Sequence, residues 1–357
     1  MLPDRPDLTH ADPDIQAYIK TLEAEIERLR SKGGRASSRE QHSVLTEDVL
    51  DSTPVSEPAE PPTTINIITT SASGIAKRTP RHHYLRQRRG GMGVFDLETP
   101  DDEPPAVLSI ADQSQGLLLI TNHGRAFRMP AGTILEKPVR GRGGGIVERL
   151  NLNPEEQLVV ILPDRAQGYV ALVSQTGMVR LLRHHIFGEF MKPGTLLYDL
   201  KTFGPLAAAS WTPGDGDLFI ATRLGRAIRF PEKQVPPQGC LGIRLAGGDT
   251  VVAITPVYPD SRVFLLGADG RGTLRLMEGF TPNKAPGAGG KTALTTDHLV
   301  TAIQADQAGD IFIISQLSKI IRFDISEVPE KDGVVQGVIC MSLRADETVA
   351  AVFGPHY

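Results

Sequence analysis

Apolar residues along this chain fall into short runs, not helical stripes, and the runs come in pairs. Six times an apolar stretch meets a tight turn and is followed by a second short run that carries a basic residue. The turn positions are Gly74, Gly124, Gly177, Gly225, Gly270 and Ser318, separated by 50, 53, 48, 45 and 48 residues. The basic residues are Lys77 with Arg78, then Arg128, Arg180, Arg229, Arg275 and Arg322. Gly-rich or Pro-rich loops follow each pair, and segments such as 250–255 and 297–303 read as closing strands. No stretch after Thr63 sustains a 3.6-residue period, so the runs read as strands. A repeat of this length built from strands predicts a ring of small sheets, none of which can bury its faces alone. The expected fold is therefore all-β, a six-bladed propeller-like ring over residues 63–357, closed so that its sheet edges are protected.

The pattern changes ahead of the ring. Residues 12–32 carry the signals of one short helix: Asp12 as a cap, Pro13 in the first turn, Gly33 and Gly34 past the end. Ile15, Tyr18, Ile19, Leu22, Ile26 and Leu29 share one face, with heptad spacing between Ile15, Leu22 and Leu29. This face suits either docking or self-association, and a loosely attached helix stands as the equal alternative. Residues 33–62 turn to Ser, Glu, Pro, Thr and Gly, too polar to offset the entropy of ordering, and read as a flexible, disordered linker.

Charge alters the picture through its distribution. The whole chain carries a formal −4. Residues 1–62 hold 7 basic and 13 acidic side chains, leaving 31 basic and 29 acidic in 63–357. Between Gly74 and Phe95 there are six basic residues and no acid, whereas Asp297 to Glu347 holds nine acids against four bases. A basic flank on a near-neutral body suits a polyanion. Within it, Arg86-Gln87-Arg88-Arg89-Gly90-Gly91-Met92-Gly93 sets planar cationic forks on backbone that can approach a phosphate closely. Arg140-Gly141-Arg142-Gly143-Gly144-Gly145 repeats the arrangement one unit later.

At these residues the chain resembles the C-terminal DNA-wrapping domain of DNA gyrase A, a six-bladed β-pinwheel. That family carries a Gln-Arg-Arg-Gly-Gly-Lys-Gly box on its first blade. Gln87, Arg88, Arg89, Gly90, Gly91 and Gly93 match it, and Met92 stands in the Lys position. The resemblance implies double-stranded DNA bent around the outer rim, with phosphate neutralisation supplying the affinity. The expected track is Lys77, Arg78, Arg86, Arg88 and Arg89 on the first blade, Arg128, Arg140 and Arg142 on the second, and Arg180 and Arg183 on the third. The acidic last blade is expected to stay off the DNA. The family's cleavage tyrosine stands beside an arginine in a separate N-terminal region. None of Tyr18, Tyr84, Tyr169, Tyr198, Tyr258 or Tyr357 follows an Arg. The resemblance thus implies a free-standing pinwheel, non-catalytic on its own; docking on a type IIA topoisomerase through helix 12–32, to assist supercoiling, and self-association through that helix stand as alternatives.

Other chemistry finds little support. Cys240 and Cys340 have no metal or redox spacing. His82–His83 and His184–His185 lack ligand partners at suitable spacing. The Gly141–Gly145 run lacks the Lys-Ser/Thr of a phosphate-binding loop, and no motif implies a cofactor. The N-terminus lacks a signal peptide, and no apolar run approaches the roughly 18 residues of a membrane span. The expected location is the cytoplasm, at the nucleoid. The rival reading is a protein-interaction propeller with little DNA binding.

Overall fold

The computed structural model describes residues 60–356 apart from 101–102, 147–149, 151 and 154. The helix expected over 12–32 and the tether expected over 33–62, up to residue 59, lie outside the described residues.

The described chain forms six sheets built on one antiparallel plan, the fifth extended by Glu330–Lys331, which pairs in parallel with Arg271–Leu276. In blade 1, strands Ile65–Ser71 and Ile75–Pro80 make a hairpin, and Pro105–Asp112 pairs with the first of them. The equivalent hairpins are Gly116–Thr121 with Arg125–Pro130, Tyr169–Ser174 with Met178–Arg183, and Asp217–Thr222 with Arg226–Pro231. Arg262–Gly267 with Arg271–Leu276 and Gly309–Ser315 with Lys319–Asp324 complete the set. The closing strands Pro105–Asp112, Leu158–Pro163, Leu206–Thr212, Val251–Val257, Leu299–Gln304 and Thr348–Pro355 pack against one another in cyclic order, the last against the first. These strands form the inner wall of the ring.

The outer edge of each sheet comes from elsewhere. After its hairpin, each unit sends a loop back to the preceding blade and adds a two-residue strand there. Gly144–Gly145 completes blade 1, Thr195–Leu196 blade 2, Cys240–Leu241 blade 3, Lys291–Thr292 blade 4 and Val338–Ile339 blade 5. Blade 6 receives Val94–Phe95 from the first unit, which closes the ring.

Packing explains why the first strands are apolar on both faces. Successive side chains on a strand point to opposite sides, and each sheet is covered on both sides by neighbouring blades. Leu117 and Leu119 pack with Ile68 of blade 1, while Leu118 and Ile120 pack with Val170 and Leu172 of blade 3. The same alternation builds six buried clusters, one at each blade junction.

The hairpin turns explain the spacing signal. Gly74, Gly124, Gly177, Gly225 and Gly270 lie at φ between 71° and 92°, and Ser318 adopts 59°. Only a residue without Cβ enters this region freely. The position also approaches its neighbour closely: a Cβ on Gly225 would lie 2.2 Å from the Leu294 carbonyl oxygen. In every blade the turn residue's carbonyl accepts an amide from the chain just past the borrowed outer strand. Ile146 donates to Gly74 (2.9 Å), Leu197 to Gly124 (2.9 Å) and Asp96 to Ser318 (2.7 Å). Ser318 tolerates its conformation because its Oγ accepts from Leu97 N (2.9 Å) and donates to Leu97 O (2.8 Å).

A short turn follows each hairpin. Pro80, Pro130 and Pro231 end their second strands and lead into 3-10 turns at Arg81–His83, Ala131–Thr133 and Glu232–Gln234. Buried apolar residues then plug the turns: Tyr84, Ile134, Phe187, Val235, Phe280 and Val328. Among the described residues one α-helix appears, Leu200–Phe203, capped by Asp199.

Candidate nucleic-acid interface

In three blades the repeated arginine of the second strand reaches into the turn of a neighbouring blade. Arg229 donates from Nε to Asp217 (2.7 Å) and from Nη1 to the Met277 carbonyl (2.8 Å) in the turn after blade 5's hairpin. Arg322 pairs with Asp310 and donates to the Tyr84 carbonyl (2.9 Å), in the turn of blade 1. Arg78 donates from Nε to the Ile134 carbonyl (3.0 Å), in the turn of blade 2. These guanidinium groups clamp one blade to the next.

That placement changes the expected track. Lys77, expected to meet phosphate, has no exposed surface: its Nζ pairs with Asp96 (2.7 Å), itself buried, and donates to the Pro138 carbonyl (3.0 Å). Burial depresses its pKa, against the pull of Asp96. A wholly buried ammonium cannot reach a phosphate, so Lys77 is corrected to a core residue. The side chain of Arg78 is only 12% exposed and is engaged by Glu136 and Asn66. Arg128 is paired with Asp164, and Arg180 donates to the Leu197 carbonyl (3.3 Å). These three occupy structural positions with their edges toward solvent.

The box is the ring's closure. Gln87 N donates to Arg322 O (2.7 Å), Gly90 N to Cys340 O (2.8 Å), and Ser342 N donates to Gly91 O (3.0 Å). Gly93, at φ 70°, lets the chain cross the Ile320 carbonyl, where a Cβ would sit 2.6 Å from the oxygen. Arg86 pairs through Nε with Asp310 (2.8 Å). Arg89 donates from its backbone to Glu327 (3.0 Å) and from Nη1 to Ile339 O (3.1 Å). Arg88 is exposed, and its side chain makes no hydrogen bond or ion pair among the described residues. Met92 is exposed beside it.

The second Gly-rich loop joins the first. Strand Leu97–Glu98, just after the box, pairs in parallel with Gly141–Arg142, and Gly141 N donates to Asp96 O (3.0 Å). Arg140 and Arg142 are exposed on this loop, and Arg183 is exposed where the third unit's loop begins. The arrangement leaves Arg88, Arg140, Arg142 and Arg183 as outward cations on the loops that span blades 6, 1, 2 and 3. Sequence reasoning missed two further exposed cations there, Arg165 and Lys192. Neither lies in a repeated motif, so only position in the fold brings them forward.

A charged seam also escaped the sequence. Glu60 accepts from Arg81 Nε (2.8 Å) and pairs with Arg322. Burial alone would raise the Asp310 carboxyl, but Arg322 and Arg86 hold it below its usual range. Asp310, Asp324 and His356 lie close together, yet both guanidinium groups already neutralise Asp310, which makes the trio a poor cation site. The His82 and His83 rings stack edge to face at 4.3 Å, with His82 Nδ1 accepting from Thr63 N (3.2 Å). No helix among the described residues is long and apolar enough to cross a membrane.

Residues 66–103, 117–162, 216–257 and 309–353 match the family model described as DNA gyrase C-terminal domain, beta-propeller. The DNA gyrase A protein of Staphylococcus epidermidis (strain ATCC 12228) is 25% identical over 302 residues, covering 80% of this chain and 34% of its own length. That of Staphylococcus aureus (strain NCTC 8325) is 24% identical over the same length, with the same coverage. The chain thus spans about a third of the length of these curated relatives. A solved DNA gyrase A C-terminal domain superposes with a TM-score of 0.72 at 21% identity, covering 81% of this chain and 99% of that one. The C-terminal domain of a DNA topoisomerase IV superposes at 0.58 and 18% identity, covering 81% and 93%.

Proposed function

We propose that this chain, similar to the DNA gyrase C-terminal β-propellers, is one of them, and that its ring binds and bends duplex DNA around the rim of blades 1 to 3. The observation that carries this reading is the run of outward cations Arg88, Arg140 and Arg142 on loops tied together by the Leu97–Glu98 and Gly141–Arg142 pairing, continued by Arg183 on the third unit's loop. Bending a site of 20–30 bp costs on the order of 1–6 kcal/mol, so a continuous rim matters more than any one contact. Gln87, Gly90, Gly91 and Gly93 serve by holding Arg88 at the edge, with Arg86 and Arg89 anchoring the loop. The ring performs no strand cleavage of its own and works at the nucleoid, in the cytoplasm, with residues 12–32 serving either to reach a type IIA topoisomerase or to pair two copies of the chain. The internal engagement of Lys77, Arg78 and Arg128 favours the second reading, a protein-interaction propeller with little DNA binding.

A topological assay separates the two. A nicked plasmid is sealed with ligase at low salt in the presence of increasing amounts of the full-length chain, then stripped of protein. A dose-dependent change in linking number supports bending into a wrap, and its sign gives the hand. No change, together with no retardation of linear duplex, leaves the scaffold reading.

A further inference from the structure

We propose that Phe190 is a wedge that enters between two base pairs of bound duplex DNA and kinks it where the rim passes from blade 3 to blade 2. The inference rests on the DNA-binding reading above. Phe190 is 97% exposed, the most exposed large apolar side chain among the described residues. It stands at the tip of a well-fixed turn. Met191 N donates to Gly188 O (3.0 Å), Gly188 N to His185 O (3.3 Å), and Gly194 N to Ala126 O of blade 2 (2.9 Å). Beneath the tip Phe187 is fully buried and meets Trp211 edge to face at 6.0 Å. A rigid stem therefore holds a bare aromatic ring in water, where it gains nothing from the fold.

The surroundings select the occupant. Exposed Arg183 and Lys192 bracket Phe190 on the same loop. At the foot of the turn Arg128, Arg165, Asp164 and Glu189 line one cleft, so its two acids share it with two arginines. A polyanion with an apolar interior matches cations around a single protruding ring. Proteins that bend duplex DNA insert Phe, Leu, Ile or Met side chains in this way, unstacking a step to gain curvature.

The test compares the full-length chain with Phe190→Ala and Phe190→Trp in competition binding at low salt. The probes are a short intact duplex and the same duplex with one central mismatched pair, which is easier to unstack. The native chain is expected to prefer the mismatched duplex by roughly tenfold. Phe190→Ala should bring the preference close to one while keeping the salt slope and melting temperature, and Phe190→Trp should retain the preference. An equal preference in the native chain and Phe190→Ala overturns the wedge and leaves DNA binding standing. Failure of the native chain to retain either duplex overturns both.

Discussion

At the scale of single residues, basic side chains of similar sequence context have opposite fates, and burial decides between them. Arg88→Ala should lower the slope of log affinity against log salt by about 0.9, the share of one phosphate contact, with no change in melting temperature. Lys77→Ala should do the reverse. It leaves Asp96 buried beside only the Thr69 and Tyr84 hydroxyls, a loss of roughly 3–5 kcal/mol of stability, while the salt slope stays put. Thermal denaturation paired with a salt titration reads both. Glu232 gives a pH signature. Fully buried, with Oε1 bonded by Thr212 and Oε2 without a hydrogen-bond partner among the described residues, its carboxyl is pushed up by burial. The folded state holds that proton more tightly than the unfolded chain. This contribution is present at low pH and disappears as pH rises from about 4.5, the ordinary value, through the raised folded value. Glu232→Gln should therefore stabilise the ring at neutral pH, and melting curves should show the gain shrinking as pH falls through the raised folded value.

At the scale of elements, the hairpins were legible because turn geometry and burial leave marks on the chain. A glycine recurs at the left-handed turn in five blades, and sheets covered on both faces demand uninterrupted apolar runs such as Leu117–Leu118–Leu119–Ile120. The borrowed outer strands were not legible: Thr195–Leu196 and Val94–Phe95 are two residues long, too short to carry any period. The role of the repeated arginines was hidden for another reason. The carbonyls that receive Arg229 lie in the turn of another blade, some 50 positions away, where no spacing rule reaches. The box was recognisable as a motif, but its part in closing the ring depends on Arg322, Cys340 and Ser342 at the far end of the chain. Since Arg229 acts through a fork of donors, Arg229→Lys should keep its charge and still destabilise the junction of blades 4 and 5 by about 1–2 kcal/mol. Hydrogen exchange would place the loss at the amides of Met277 and Phe280, whereas uniform exchange across all six turns would mean that Arg229 clamps nothing.

At the scale of the whole molecule, every blade lends an edge strand to its predecessor and receives one from its successor, so no junction is privileged. The seam between blades 6 and 1 is where the described backbone enters and leaves, and it also carries the ion pairs of Glu60, Arg81, Arg322 and Asp310. Arg81 marks the spot, bonding Glu60 through Nε and the Pro355 carbonyl through Nη1 at 2.8 Å. That adjacency makes the domain a candidate for circular permutation. A gene with residues 60 and 356 joined by a short Gly-Ser bridge, and new ends opened in the exposed loop at 213–216, should yield a ring with its melting temperature within a few degrees of the original. The order of units along the chain would then be a record of how the gene was written, and the order around the ring would be the property the physics enforces.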